Sequence, residues 1–346
     1  MPTMHDVARR AGVSLKTVSR VVNDEPSVSE ETRRKVTEAI AALDFRPNSV
    51  ARNLRTGRVD LIGLALPHLS QPYFSALAEA VMREAERRGL TVLVELTGGH
   101  DEAELALARE HGPHLGGLLM YPIGLSDTHA RTVARIVPTV FMSERAFDAP
   151  VDRVAMANQD GVRALVAHMA SLGYTRIAAL GADRTDRPER SAAHLRLAGY
   201  HDALRDAGLP HVPELVRYVG TPDWNRPAGA AEVRRLIESG VAFDAVVAFA
   251  DALALGALHA LRQAGLRVPA EVAVAGFDDT DEARYAFPSL TSIAPGTTQT
   301  AREALDLLHD RMHGTATQEA GRLVVTEFEL AARESTLGGM ATWGAV

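Results

Sequence analysis

The sequence predicts two kinds of structure in series, a small all-α headpiece followed by a much larger α/β body. Three observations carry this. The first 46 residues contain three short capped segments with helical periodicity and no strand. From Val59 onward, short apolar runs of strand length alternate with amphipathic helical runs. A length of 346 residues also exceeds what one compact core serves, so two or three domains are expected. Hydrophobic residues make up 46% and charged residues 23%, which places the chain among folded globular proteins rather than disordered ones.

In the headpiece, Thr3 with Asp6 three positions on has the form of a capping box, and Val7, Ala8 and Ala11 give the helix that follows an apolar stripe. Gly12 ends that helix, because glycine enters the left-handed turn at little steric cost. Ser14 caps a second helix from Leu15 to about Val22. Ser29 caps a third, where Glu30 and Glu31 favour the helix dipole and Val36, Ile40 and Leu43 face inward. A helix, a tight glycine-containing turn and a second helix form the unit that seats one helix in the major groove of double-stranded DNA. On the second helix, Val18, Val21 and Val22 share the packing face. Lys16, Ser19 and Arg20 point the other way, and Leu15 is expected to be exposed near the helix start. Lysine and arginine reach guanine N7 and O6, and leucine can meet a thymine methyl. The same residues also suit a plain solvated face on a small bundle.

Charge distribution favours the first reading. Residues 1–58 hold eleven Lys and Arg against seven Asp and Glu, whereas the whole chain carries −7. A basic end on an acidic body suits a chain whose N-terminus alone touches phosphate.

Three runs carry a resemblance. They are His5-Asp-Val-Ala-Arg-Arg-Ala-Gly-Val-Ser-Leu-Lys-Thr-Val-Ser-Arg-Val-Val-Asn23, Val28-Ser-Glu-Glu-Thr-Arg-Arg-Lys-Val36 and Phe45-Arg-Pro-Asn-Ser-Val-Ala-Arg-Asn-Leu54. Together they resemble the headpiece of the LacI/GalR family of bacterial transcriptional regulators. The resemblance implies that Leu15, Lys16 and Arg20 read bases and that Thr17, Ser19 and Asn23 contact the phosphate side. Between headpiece and body, Pro47 and Asn48 are helix start signals, Gly57 is a stop, and Val50 and Leu54 fall one turn apart. The segment is about seven residues long, below the roughly 12–15 that hold a helix alone in water. It can order only when DNA and a partner copy supply contacts. By resemblance, Asn48, Ser49, Val50 and Leu54 contact DNA, with Leu54 wedging a base step in the minor groove. The residues alone favour a plain linker whose Leu54 tucks against the body.

In the body, strands are expected at Leu61–Leu66, Thr91–Glu95, Gly117–Tyr121, Thr139–Met142, Arg176–Leu180, Ala245–Ala248 and Val272–Gly276. Helices lie between them, for example Phe74–Arg88 and Gly161–Leu172. This alternation implies parallel sheets covered by helices and leaves open whether there is one sheet or two. The resemblance, which extends over nearly the whole chain, implies an α/β body of two Rossmann-like subdomains (periplasmic-binding-protein-like) with an N-terminal all-α helix-turn-helix headpiece. The domains are then 1–46 headpiece, 47–58 hinge, 59–336 effector-binding and dimerisation domain, and 337–346 tail, with crossovers near 158–161, 289–292 and about 320.

Ligands of such sheets sit beyond the carboxyl ends of the strands. The loop Pro67–Phe74 offers Ser70, Tyr73 and Phe74. Arg196 has five fixed donors for hydroxyls, Trp224 an apolar face for a sugar ring, and Asp278 an acceptor for two hydroxyls. Together they form a pyranose grip. Leu195–Gly199 and Gly276–Thr280 extend the family resemblance into these loops. It fails at Ala250 and Ser143, which stand where a relative carries a ligand-binding asparagine and aspartate. The smaller side chains leave room for a disaccharide or a differently substituted sugar. A salt bridge for Arg196 and an interface role for Trp224 are the bland alternatives.

Several classes are not expected. No Walker loop, G-x-S-x-G elbow or H-E-x-x-H motif is present, so no catalytic residue, cofactor or metal ligand is assigned. The acidic run Asp278, Asp279, Asp281 and Glu282 follows a strand and suits hydroxyls better than a divalent metal. With no cysteine, disulfide and thiolate chemistry are excluded. The first residues lack a secretion signal. The longest apolar stretch, Val246–Ala264, is broken by Asp251, His259, Arg262 and Gln263, so cytoplasmic residence without membrane attachment is expected. The tail lacks apolar heptads, which favours a homodimer on a pseudo-palindromic operator over a tetramer. A mono- or disaccharide is the expected effector. A nucleobase or phosphoprotein effector, and a solute-binding protein sharing the body's fold, are the alternatives.

Overall fold

The computed structural model describes residues 2–22, 28–45, 60–184, 191–220, 223–314 and 321–337. The chain divides into two compact units, Met1–Val59 and Asp60–Val346.

The first unit contains α1 (Met4–Ala11), α2 (Leu15–Val22) and α3 (Glu30–Ala42). Thr3 and Asp6 form the reciprocal capping box, with the Thr3 backbone N–H donating to Asp6 Oδ2 at 2.9 Å. Gly12 takes the left-handed conformation, φ 67°, that ends α1. Ser14 Oγ accepts from the Thr17 N–H at 3.2 Å, and Ser29 Oγ caps α3 by accepting from Thr32. Such caps are each worth about 1 kcal/mol, a large share for α1 and α2, which have eight residues each. The core is Val7, Ala8, Val18, Val21, Val36, Ala39 and Phe45, with Val22, Ile40 and Leu43 half-buried around it.

The second unit has two six-stranded sheets. The strands are β1 (Leu61–Leu66), β2 (Thr91–Leu96), β3 (Gly117–Met120), β4 (Thr139–Met142), β5 (Asp152–Met156), β6 (Ile177–Ala182), β7 (Val216–Tyr218), β8 (Ala245–Ala248), β9 (Ala273–Phe277), β10 (Thr291–Ala294), β11 (Leu323–Thr326) and β12 (Glu329–Ala331). The sheet orders are β11-β5-β4-β3-β1-β2 and β12-β10-β9-β8-β6-β7, all pairs parallel except β12 on β10. Each lobe thus repeats a doubly wound order, reversing direction between β1 and β3 in the first and between β6 and β8 in the second.

Helices α4 (Pro72–Arg87), α5 (Asp101–His111), α6 (Asp127–Ile136) and α12 (Thr297–Met312) cover the first sheet. The second is covered by α7 (Asn158–Ser171), α8 (Ala192–Asp206), α9 (Arg226–Glu238) and α10 (Asp251–Gln263). Two short helices, α11 (Asp281–Tyr285) and α13 (Glu334–Leu337), complete the lobe. The innermost strands β1, β3, β6, β8 and β9 are apolar throughout because both faces are covered. In β3, Leu119 packs with Leu77 and Val81 of α4, while Leu118 and Met120 pack with Leu105 of α5 and Val133 of α6.

The chain passes between lobes three times, and the positions differ from those expected. The first pass is at Ala157, between β5 and α7, one residue short of 158–161. The second is at 295–296 rather than 289–292, because β10 still pairs with β9 before α12 returns to the first sheet. The third is at 327–328 rather than about 320, because β11 pairs with β5 first. Both β11 and β12 are edge strands with mixed exposure.

Candidate functional site

Two surfaces carry chemistry. In the first unit, α2 buries Val18 and Val21 and turns Lys16 to solvent, with Ser19 and Arg20 half-exposed on the same side. Leu15 is half-buried rather than exposed, since it begins the helix beside the packed turn. Thr17 is half-buried with its hydroxyl 2.9 Å from Ser14 Oγ, so it helps hold the start of α2. Asn23, Asn48, Ser49, Val50 and Leu54 lie outside the described residues, as does the whole of the 47–58 hinge.

In the second unit a cavity of about 350 Å³ opens between the lobes at the carboxyl ends of β1, β3, β4, β6, β8 and β9, where doubly wound sheets place their ligands. From the second lobe it receives Arg196 of α8, which is 2% exposed. Its Nε donates to Asn158 Oδ1 at 2.6 Å, its Nη1 donates to the Phe249 carbonyl, and its guanidinium carbon lies 3.6 Å from the Phe277 ring centre. Asp278 Oδ1 is 3.9 Å from the Arg196 Nη1. Burial pushes the Asp278 carboxyl up to about 7, against the pull of Arg196.

Asp278 is held by strained backbone. Its φ is 119° and that of Asp279 is 48°, regions that non-glycine residues rarely enter. Asp251, wholly buried at the start of α10, braces this turn. Its Oδ2 accepts from the Thr280 N–H at 2.8 Å and the Thr280 hydroxyl at 3.2 Å, and its Oδ1 accepts from Ser292 Oγ at 2.6 Å. A Cβ at Gly276 would fall 2.3 Å from that Oδ1. Burial and the charge of Asp278 raise the Asp251 carboxyl well above its ordinary range. Asp279 pairs with Arg333 at 2.5 Å and Arg284 at 3.1 Å, and Glu282 pairs with Arg226 at 3.0 Å. Asp278, Asp279 and Glu282 of the acidic run thus each face an arginine.

Trp224 lines the cavity and is buried, its indole N–H donating to the carbonyls of Val219 at 3.0 Å and Gly181 at 3.2 Å. It therefore offers the cavity an apolar surface with no donor to spare. Gly181 has φ 118°, and a Cβ there would meet Phe249 Cβ at 2.9 Å, so only glycine shapes the strand end that receives the indole.

The first lobe supplies an aromatic wall. Phe74 and Tyr121 meet edge to face at 4.9 Å, and Tyr73 completes the cluster at 5.4 Å from Phe74. The loop after Tyr121 is clamped from α5, where Glu104 accepts from the Ile123 N–H and Asp101 from the Ser126 N–H, both at 2.9 Å. Burial pushes the Glu104 carboxyl up to about 7. Beyond β4, Ser143 and Glu144 reach the cavity. Ser143 Oγ accepts from the Arg145 N–H at 3.1 Å, and Glu144 Oε1 accepts from Asn158 Nδ2 at 2.7 Å.

Of the residues expected in the site, Tyr73, Phe74, Ser143, Arg196, Trp224 and Asp278 line one cavity. Ser70 does not. It is exposed in the loop ahead of α4, because the lining begins again only at Gln71. Arg196 does face a carboxylate, yet inside the cavity rather than on a helix surface. Sequence reasoning missed Tyr121, Glu144, Asn158 and the bracing role of Asp251. The position of each just beyond an apolar strand was the signal available. Among the described residues no helix is long and apolar enough to cross a membrane.

Two family models match the chain. Residues 3–48 match the family described as bacterial regulatory proteins, lacI family, and residues 166–336 match a periplasmic binding protein-like domain. The lactose operon repressor of Escherichia coli (strain K12) is 32% identical over 339 residues, covering 97% of this chain and 91% of that protein. Among solved structures, the lac repressor dimer bound to operator and an anti-inducer has a TM-score of 0.81 at 31% identity, covering 97% of this chain and 99% of that one. A complex of the regulator CelR with cellobiose has a TM-score of 0.69 at 30% identity, covering 97% and 100%.

Proposed function

The chain belongs to the lacI family of bacterial regulatory proteins, and from that premise we propose that it is a sequence-specific DNA-binding repressor of sugar-utilisation genes. Its operator affinity is switched by a small sugar held between the two lobes. The observation that carries this reading is one chain holding both parts of such a switch. A helix-turn-helix unit turns Lys16, Ser19 and Arg20 outward, and a cavity surrounds an arginine and an acid with aromatic faces. One relative is solved as a dimer on its operator and another with cellobiose.

Leu15, Lys16 and Arg20 are assigned to bases, and Thr17, Ser19 and Asn23 to the phosphate side. Asn48, Ser49, Val50 and Leu54 are assigned to the minor groove of a pseudo-palindromic operator bound by a homodimer. Tyr73, Phe74, Ser143, Arg196, Trp224 and Asp278 are assigned to the sugar. The domain limits proposed are 1–46, 47–58, 59–336 and 337–346. Binding and release, rather than a chemical reaction, is the work assigned, and it takes place at the chromosome, in the cytoplasm. The sugar acts by favouring one arrangement of the lobes, so its affinity for the DNA-bound and free states must differ.

The test is selection of binding sites by the full-length protein from a random DNA pool, followed by anisotropy titration with and without cellobiose, lactose, galactose and ribose. Operator affinity should change with at least one sugar. Replacing Lys16 and Arg20 by alanine should relax base preference, each contact carrying about 1–3 kcal/mol of discrimination. Unchanged selectivity in a well-folded double variant overturns the assignment of α2.

A further inference from the structure

We propose that Arg333, which lies outside the cavity lining, is a positioning residue for the sugar site: through Asp279 it locks the backbone turn that aims Asp278. The inference rests on the sugar reading above and deepens it.

Left-handed backbone at a residue other than glycine persists only where its surroundings over-determine it. The turn after β9 has two such residues in a row, Asp278 at φ 119° and Asp279 at φ 48°. It is held from three sides. From β10, the Ile293 carbonyl accepts from the Asp278 N–H at 2.9 Å and Ser292 Oγ accepts from the Asp279 N–H at 3.1 Å. From α10, Asp251 accepts from the Thr280 N–H at 2.8 Å. The third hold is on the Asp279 side chain, which is 7% exposed and carries a charge that is costly to bury unpaired. Two guanidiniums approach it. Arg284 Nη2 is 3.1 Å from Oδ2, but that side chain is 59% exposed on the five-residue α11, where an ion pair is worth little. Arg333 Nη2 is 2.5 Å from Oδ1, with its side chain only 18% exposed. This contact is close but poorly aligned, so charge rather than a directed hydrogen bond carries it.

Arg333 can serve as a fixed post because its own place is settled away from the turn. Its Nη1 donates to the Leu290 carbonyl at 2.7 Å, and its backbone N–H donates to Thr291 Oγ1 at 2.8 Å. The residues that follow latch the same segment. Glu334 Oε2 accepts from the N–H and the hydroxyl of Ser289, both at 2.9 Å. Ser335 Oγ accepts from the Thr291 N–H at 2.8 Å and donates to the Val274 carbonyl of β9 at 2.6 Å. Residues 333–335 therefore clasp 289–291, and one arm of the clasp reaches the sugar turn. A guanidinium is a rigid planar fork, so one arm on the Leu290 carbonyl fixes where the other meets Asp279. Lysine would bring a compact charge on a flexible stem and no fork.

Full-length wild type and variants are titrated calorimetrically with cellobiose, lactose, galactose and ribose, and the same preparations are unfolded in urea. Arg333→Met should weaken binding of the tightest sugar about tenfold, and Arg333→Lys should recover part of that loss. Asp279→Asn should weaken it to a similar extent. The double variant Asp279→Asn/Arg333→Met should bind no worse than the weaker single one, since both remove one link. Two neighbours separate positioning from general loosening. Ser335→Ala opens the clasp away from the turn and lowers stability, and Arg284→Ala removes the exposed partner. Each should leave affinity within about twofold of wild type. Affinity losses that follow stability losses across the whole set overturn the proposal. So do wild-type affinity in Arg333→Met and additive losses in the double variant, and each of these leaves the sugar reading standing. Should Arg333→Met not fold, Asp279→Asn decides, because unchanged affinity there removes the link. Binding of none of the four sugars by the wild type removes the sugar reading, and this inference with it.

Discussion

The two walls of the cavity are built on opposite plans. The first-lobe wall is chiefly aromatic, with Tyr73, Phe74 and Tyr121 held by edge-to-face packing. The second-lobe wall is polar and already tied into its own lobe. Arg196 is anchored to a backbone carbonyl and to Asn158, and Asp278 sits on a strained turn braced by Asp251. A polar group that must be rigid before a ligand arrives has to be fixed by other polar groups, because an unsatisfied buried charge is expensive. Aromatic faces need only be packed. The second wall should therefore couple ligand binding to stability, while the first should separate them.

The largest test of that contrast is Arg196→Met. It should abolish sugar binding, by about a hundredfold or more, and lower unfolding stability by about 3–5 kcal/mol, because Asp278 and Asn158 lose their buried partner. Urea unfolding and ligand titration on one preparation read both effects. A variant as stable as wild type breaks the contrast. Asp251→Ala comes next. It strands the Thr280 N–H and the Ser292 hydroxyl, each costing about 1–3 kcal/mol, and it releases the turn that aims Asp278. Stability should fall by about 2–4 kcal/mol, and sugar affinity should fall although residue 251 is absent from the cavity lining. On the first wall, Tyr121→Leu should leave stability within about 1.5 kcal/mol of wild type. It should weaken sugar binding about fivefold, through loss of a ring face worth about 1 kcal/mol. A drop in stability matching that of Asp251→Ala makes the two walls alike.

The same contrast explains what could be read before the fold was known. Buried central strands write continuous apolar runs, so β1, β4 and β8 are placed residue for residue and β9 within one. Edge strands β11 and β12 are half-exposed and short. They carry neither a continuous nor an alternating pattern, and with them the third lobe crossing was displaced; the second moved because buried β10 opens on Thr291 and Ser292 and so does not read as an apolar run. In the site, Arg196 and Asp278 stand inside the recognisable runs Leu195–Gly199 and Gly276–Thr280. Glu144 and Tyr121 stand at strand ends with no motif around them, and only the packing of two lobes brings them to one cavity. Asn158 joins Glu144 to Arg196 across 14 and 38 residues of sequence, a link no local pattern encodes. Ser70 failed for the opposite reason: its loop was correctly placed, but a loop does not aim all of its side chains one way.

The smallest effect is also the one that most sharpens the difference between binding and stability. In the free protein, burial holds the Asp278 carboxyl at about 7, well above its ordinary 3.8. Against burial, the Arg196 guanidinium and a hydrogen bond from the Asp251 backbone both favour ionisation. Folding raises this group, so between about pH 4 and 7 the folded chain holds a proton that the unfolded chain has lost. The contribution to stability is full below that window and disappears as pH rises through 7. Sugar hydroxyls donate to the ionised form, so ligand binding lowers the same carboxyl and releases its proton. Affinity should therefore fall severalfold as pH drops from 8 to 6. Stability and affinity at this residue run in opposite directions with pH. Glu104, also held at about 7, shares the stability slope but lies behind the aromatic wall and adds nothing to the affinity slope. Asp278→Asn should consequently flatten the affinity profile while leaving the part of the stability profile that belongs to Glu104, and an affinity slope unchanged in that variant assigns the proton to Glu144 of the first wall instead.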